Sequence, residues 1–185
     1  MPTGYIDPVN PDVQIEWDPV YDVHWSRLND GVRQPTAPST LSGTYISASW
    51  GLLTPWEGGL GVKDILNMSS ISGVDVVSNV KIWMYGQQSD SSVYVNVELL
   101  SASNSTIAGP VSVYFSSGGY SSYSWSSANF DLNIGQSALD DLRVSLKSQA
   151  SSNPSNQHIW IFALYGEVTY SNPVIGDSLG WAFGF

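Results

Sequence analysis

Val93-Tyr94-Val95-Asn96-Val97-Glu98-Leu99-Leu100 is the clearest alternation of apolar and polar residues in this chain. Successive side chains of a strand point to opposite faces, so Val93, Val95, Val97 and Leu99 read as a core face and Tyr94, Asn96 and Glu98 as an outer one. A polar turn, Gln87–Ser92, precedes it. Before the turn, Val80, Ile82 and Met84 alternate with Lys81, Trp83 and Tyr85 in the same way. Further strands are expected over Thr44–Trp50, Lys63–Met68, Val111–Phe115, Tyr123–Leu132, Arg143–Lys147 and Ile159–Tyr170, with the Lys81 strand running from Val74 to Tyr85. About eight short strands broken by turns rich in Gly, Ser and Asn predict an all-β chain, an antiparallel β-sandwich of jelly-roll type.

Two kinds of sequence flank this set. Residues 1–40 are rich in proline (Pro2, Pro8, Pro11, Pro19, Pro35, Pro38) and in acids. Proline fixes φ and removes a donor, so an extended N-terminal arm is expected there. Ile15, Trp17, Val20, Tyr21, Val23 and Trp25 are too apolar for a solvated tail, so the arm should dock on its own domain or on a neighbour. The sandwich is expected over 41–171, including a Gly/Pro-rich loop, Gly51–Gly61, that carries Trp56 and Glu57. Residues 172–185 form a short tail whose Trp181, Phe183 and Phe185 need a surface to cover. A single helical turn is predicted at Ser137–Leu142, with Ser137 as its N-cap and Asp140 and Asp141 in its first turn, where the helix dipole favours acids.

Composition narrows the function. The chain has 185 residues, 42% of them hydrophobic and 12% charged, enough for one sizeable core under a largely neutral surface. A net charge of -10 with only six Lys+Arg argues against a nucleic-acid partner, whose phosphates need cations. There is no cysteine, hence no disulfide, thiolate metal site or thiol nucleophile. The N-terminal residues lack the basic start and apolar run of a secretory signal, and no stretch approaches the roughly 20 apolar residues that span a bilayer, so a soluble product of the cytoplasm with no membrane partner is expected. Asn67-Met68-Ser69 and Asn104-Ser105-Thr106 match the glycosylation sequon, which carries little weight without such a signal.

The residues able to do chemistry are few. Glu98 and Glu167 invite comparison with the paired carboxylates of jelly-roll glycosidases, a reading that needs them to face each other across a cleft. Outward-facing strand acids explain both as well. His24 and His158 form no metal or triad pattern. Asp140-Asp141 could bind calcium, but stabilising a helix start explains the pair more simply, and no cofactor is expected. Trp83, Tyr85, Tyr94 and Trp125, with Tyr120 and Tyr123, could form a sugar-stacking platform or else belong to the core and a subunit interface.

Several stretches in order resemble a family of small jelly-roll structural proteins of tailed bacteriophages. They are Asn29-Asp30-Gly31-Val32-Arg33-Gln34-Pro35, Val80 to Gly86, Trp125 with Phe130, Ala138 to Val144, and Ala163-Leu164-Tyr165-Gly166-Glu167-Val168-Thr169-Tyr170. The resemblance implies a non-enzymatic virion component: a capsid cement or decoration protein, or a collar or tail piece. It implies other virion proteins, above all the major capsid protein, as partners and a homo-oligomer, commonly a trimer. It supplies no catalytic residues. On this reading Ile15, Trp17, Val20, Tyr21 and Trp25 in the arm and Trp181, Phe183 and Phe185 in the tail are contact elements. The competing reading is a carbohydrate-binding module, which requires exposed coplanar rings on one sheet.

Overall fold

The computed structural model describes residues 1–14, 16, 28, 33–38, 46–50, 61–116, 123–151 and 157–173. Its strands are β1 (Thr3–Ile6), β2 (Pro8–Gln14), β3 (Ile46–Trp50), β4 (Lys63–Met68), β5 (Val76–Gln88), β6 (Val93–Leu100), β7 (Thr106–Val113), β8 (Ser124–Ile134), β9 (Arg143–Ala150) and β10 (Gln157–Ser171), and a short helix, α1 (Gln136–Asp140), precedes β9. The first sheet runs β1-β10-β5-β8, with β3 also on β10; the second runs β2-β4-β9-β6-β7. All pairings are antiparallel. Leaving aside β1 and β2, the orders β3-β10-β5-β8 and β4-β9-β6-β7 are those of an eight-stranded jelly roll. Among the described residues no helix is long and apolar enough to cross a membrane.

The core lies between the sheets. Val80, Ile82 and Met84 of β5 and Ile161, Leu164 and Val168 of β10 meet Val93, Val95, Val97 and Leu99 of β6 and Val144 and Leu146 of β9. Each such side chain, fully buried, contributes about 1.5–3 kcal/mol relative to exposure.

The first fourteen residues, expected as part of an arm, dock on their own domain as edge strands. β1 takes one half of the outer edge of β10 (Thr3↔Thr169 to Ile6↔Gly166) and β3 the other (Ile46↔Ile161 to Trp50↔Gln157). The chain then crosses to the second sheet at Asp7, whose N–H donates to Ser69 Oγ and whose carbonyl accepts from Ser69 N–H. β2 tolerates Pro8 and Pro11 because an edge strand has N–H positions that no ladder uses.

Two irregularities shape the outer surfaces. A β-bulge interrupts β10 between Ile161, which pairs with Gly86, and Ala163, which pairs with Tyr85. Gly86 is required there, since a Cβ would stand 2.6 Å from the Trp160 carbonyl oxygen and 2.8 Å from the Phe115 ring. In β7, Gly109 has φ +105° and lies against Val97 O, beside a second register shift.

The helix differs from expectation. Gly135 is its N-cap, with no side-chain cap, and Ser137 lies inside it. Asp140 and Asp141 stand at its end, where Asp140 accepts from Ser70 Oγ and from Gln136 Nε2. Gln136 clamps the loop before β5 as well, donating to Ile71 O at 2.8 Å and accepting from Val74 N–H at 2.9 Å.

Candidate functional site

Aromatic residues form a continuous layer on the outer face of the first sheet. From β5 come Trp83 and Tyr85, from β8 Trp125 with the preceding Tyr123, and from β10 Trp160, Phe162 and Tyr165. Tyr85 and Phe162 are 8% and 4% exposed and form, with Ala163, a small second core against which Tyr123, Trp125 and Trp160 pack. Tyr85 stacks on Tyr123 (centroids 6.1 Å apart) and meets Trp125 at 5.3 Å, and Tyr123 meets Phe162 edge-on at 5.1 Å. Tyr165, 2% exposed, is the hub: Trp83 stacks on it at 6.5 Å, while Trp125 and Tyr5 of β1 meet it edge-on at 5.6 and 5.8 Å.

Residues 33–38 lie across this hub. The Arg33 guanidinium stands 4.5 Å from the Tyr165 ring centre and 5.4 Å from that of Tyr5, and its Nη2 donates to both Asp7 oxygens, at 2.6 and 2.7 Å. Gln34 N–H donates to Tyr165 Oη at 3.3 Å, and the Trp125 indole N–H donates to Thr36 O at 3.0 Å. At the layer's other end the Trp83 indole donates to Glu167 at 2.9 Å, and Lys81 Nζ stands 5.2 Å from the Trp83 ring centre. Burial, above all, pushes the Tyr165 phenol above its ordinary pKa; Glu167 and Tyr5 add to this, and the Gln34 N–H and Arg33 oppose it. Burial, with Tyr123 nearby, also raises Tyr85.

Trp83, Tyr85 and Trp125 thus do share one face, but their rings are tilted and packed on one another rather than laid out coplanar and open. Tyr94 does not join them. It lies on the outer face of the second sheet, 5.1 Å from Tyr114, which is 50% exposed. The reason is the strand period: Val93 and Val95 face the core, so Tyr94 faces away from it on the opposite side of the sandwich.

The same argument removes the carboxylate pair. Glu98 lies between inward-facing Val97 and Leu99 of the second sheet, and Glu167 beside inward-facing Val168 of the first, so the two carboxylates point out of opposite faces. His158 packs its ring on Trp160 at 4.3 Å. Among the described residues no three His, Cys, Asp or Glu side chains are grouped to hold a metal ion, Asp140 and Asp141 included. Open hollows of about 460 and 330 Å³ flank α1, the first lined by Ser101, Ser103 and Ala138 and the second by Asn10, Asn67 and Arg143. Neither is lined by a buried polar side-chain atom without a partner. His24, Tyr120, the arm residues Ile15, Trp17, Val20, Tyr21 and Trp25, and the tail residues Trp181, Phe183 and Phe185 lie outside the described residues.

Arg33, Tyr5 and Tyr165 are functional-face residues that the strand pattern alone does not mark. Arg33 and Tyr165 do stand in the family-like stretches, which was the available signal; Tyr5 had none.

No protein-family model matches the chain, and no curated protein sequence does. Solved structures similar to it include a family 29 carbohydrate-binding module (11% identity, 90% of each chain covered, TM-score 0.36). Another is an isomalto-dextranase of Arthrobacter globiformis T6 complexed with panose (14% identity, 67% of this chain and 21% of that one, TM-score 0.39). A third is the Gt strain of infectious bursal disease virus (14% identity, 68% and 29%, TM-score 0.36). The chain therefore spans about a fifth of the dextranase. Likenesses this distant carry no functional argument.

Proposed function

We propose that the chain is a non-catalytic structural protein of a phage virion, a capsid cement or decoration protein that binds the assembled shell. One observation carries this reading: Tyr5 and residues 33–36 of the chain itself pack on the aromatic face around Tyr165, and the two strand carboxylates diverge instead of facing each other across a cleft. The ordered stretches that resemble phage jelly-roll proteins support the same reading, and Arg33 to Pro35 and Ala163 to Tyr170 are where two of those stretches meet in space. The partners on this reading are the major capsid protein and further copies in a homotrimer, reached through the arm (Ile15, Trp17, Val20, Tyr21, Trp25) and the tail (Trp181, Phe183, Phe185). The protein is made in the host cytoplasm and ends in the virion.

A cement protein binds the assembled shell and not its free subunits, so it stabilises by mass action. Saturating protein should raise the temperature at which otherwise bare shells open, and no change would sink the reading. Removing residues 1–27 is a poor test of the arm because it strips β1 and β2 from both sheets. Trp17→Ala with Trp25→Ala tests the arm without touching them.

A second reading is favoured by one detail. Trp83 is only half-buried and lies nearly parallel to Tyr165, between Lys81 and Glu167, which is chemistry suited to a sugar ring. Loss of glycan binding in a folded Trp83→Ala variant would support it, and absence of glycan binding by the unaltered protein would end it.

A further inference from the structure

The aromatic layer ends at Trp83 and Tyr165, and beyond them the outer face of the first sheet turns polar. Register lines up Tyr5 of β1 with Glu167 of β10, Glu167 with Lys81 of β5, and Lys81 with Asn129 of β8. Their chain neighbours Ile6, Val168, Val80, Ile82, Ala128 and Phe130 face the core, so all four side chains leave the sheet on its outer side. None of the four is buried. Asn129 is exposed, Lys81 and Glu167 are half-buried, and Tyr5, at 52%, is one of three large hydrophobic residues exposed among those described.

Two features set this row apart from a solvated face. Opposite charges directly across a sheet attract and stabilise it, yet among the described residues no ion pair joins Lys81 and Glu167. Both turn to Trp83 instead, Glu167 Oε2 accepting from its indole N–H at 2.9 Å and Lys81 Nζ standing 5.2 Å from its ring centre. Glu167 is thereby held in place with Oε1 unused, and Lys81 keeps its donors. The Asn129 amide has no hydrogen-bond partner among the described residues either. A free acceptor, a free donor and a free amide thus stand in line, with an aromatic ring at Tyr5 on one end and Trp83 alongside.

We propose that this row binds a short neutral oligosaccharide lying across the strands from Tyr5 to Asn129. At the roughly 4.8 Å spacing of neighbouring strands the row spans about 14 Å, longer than one sugar ring and suited to a chain of a few. A sugar hydroxyl donates and accepts at once, which a carboxylate beside an ammonium and an amide can answer. The apolar C–H faces of the sugar need aromatic surface, and Tyr5 and Trp83 supply it. Lys81 and Glu167 cancel in charge and the whole chain carries -10, so acidic glycans are repelled. The site rests on the glycan reading of Trp83 given above and extends it from one ring to a row that the N-terminal strand completes.

The test is a screen of the full chain on an array of neutral and sialylated oligosaccharides, followed by calorimetric titration with the tightest-binding neutral trisaccharide and with its component monosaccharide. The trisaccharide should bind about tenfold more tightly than the monosaccharide, because it reaches more of the row. Asn129→Ala and Lys81→Gln should each weaken it about three- to tenfold, as the loss of one hydrogen bond does, and Tyr5→Ala about tenfold. Tyr5 also meets Tyr165 and Arg33, so a thermal melt checks that this variant is folded; Asn129 is exposed and touches neither, which keeps the test sound if it is not. Neutral binding that Trp83→Ala abolishes but the Tyr5, Lys81 and Asn129 variants leave unchanged overturns the row and spares the reading of Trp83 alone. Equal affinity for the monosaccharide, or binding confined to sialylated glycans, overturns the row as well. No binding to any oligosaccharide on the array ends both.

Discussion

Replacing Tyr165 tests whether the outer aromatic layer is a second core or an open platform. The ring is 2% exposed and touches Tyr5, Trp83, Trp125 and the Arg33 guanidinium. Truncating a buried aromatic costs about 3–5 kcal/mol, because the transfer free energy and a cavity add together. Tyr165→Ala should fall in that range, a large share of the roughly 5–15 kcal/mol that holds a domain folded. Tyr165→Phe keeps every ring contact and removes only the oxygen that accepts from Gln34 N–H at 3.3 Å. That bond is long, so its loss should cost at most about 0.5–1 kcal/mol. Urea unfolding followed by tryptophan fluorescence reads both variants, since Trp83 and Trp125 abut the ring. A cost below about 1 kcal/mol for Tyr165→Ala would refute the second-core account and reopen the face as a binding platform.

Other expectations follow from the same geometry. Gly86→Ala drives a methyl group into the Trp160 carbonyl and the Phe115 ring, and should cost about 1–3 kcal/mol or more in the same unfolding assay, whereas Gly73→Ala meets no atom within 4 Å and should cost only the strain of its φ of +77°. Tyr165 and Tyr85 have raised folded-state pKa values, so the folded chain holds protons that the unfolded chain gives up. Stability from these groups should be intact below about pH 10 and decline as pH rises through their folded values, with a shallower decline in Tyr85→Phe/Tyr165→Phe. Asp140 is shifted the other way, lowered first by Ser70 and then by Gln136. Its contribution should be present above about pH 4 and disappear as pH falls through the depressed value, and Asp140→Asn should remove that part of the acid dependence in a pH-resolved melt.

Most strands were legible because one face of each is apolar with period two. Lys63–Met68 and Val93–Leu100 match their expected bounds, and Val76–Gln88 and Ser124–Ile134 start and end slightly later than the expected Val74–Tyr85 and Tyr123–Leu132. Where the pattern is weaker, the strand bounds differ from those expected. β7 was expected at Val111–Phe115 and lies at Thr106–Val113, because Gly109 and Pro110 look like strand breakers but sit at a bulge on an edge, where both are tolerated. Pro8 and Pro11 concealed β2 for the same reason. The helix cap failed because Ser137 and Gly135 are both plausible starts, and only the packing of Leu139 into the core picks the frame.

The chain's own residues settle that it is all-β, which residues of β5 and β6 face the core, and that it has no thiol chemistry and few cations, because side-chain period, composition and charge are local properties. They do not settle which aromatic residues share a face. Strict alternation from Ile159 would have sent Ala163 and Tyr165 into the core with Ile161. The bulge at Phe162 inserts one residue, reverses the faces beyond it and turns Tyr165 outward to meet Trp83 and Arg33, while Leu164 and Val168 turn in. Tyr94 and Trp83 look alike in sequence and lie on opposite sides of the sandwich, because sheet membership depends on which distant strands pair. The meeting of Arg33 with Asp7, and the row from Tyr5 to Asn129, likewise exist only once strands far apart in the chain are in register.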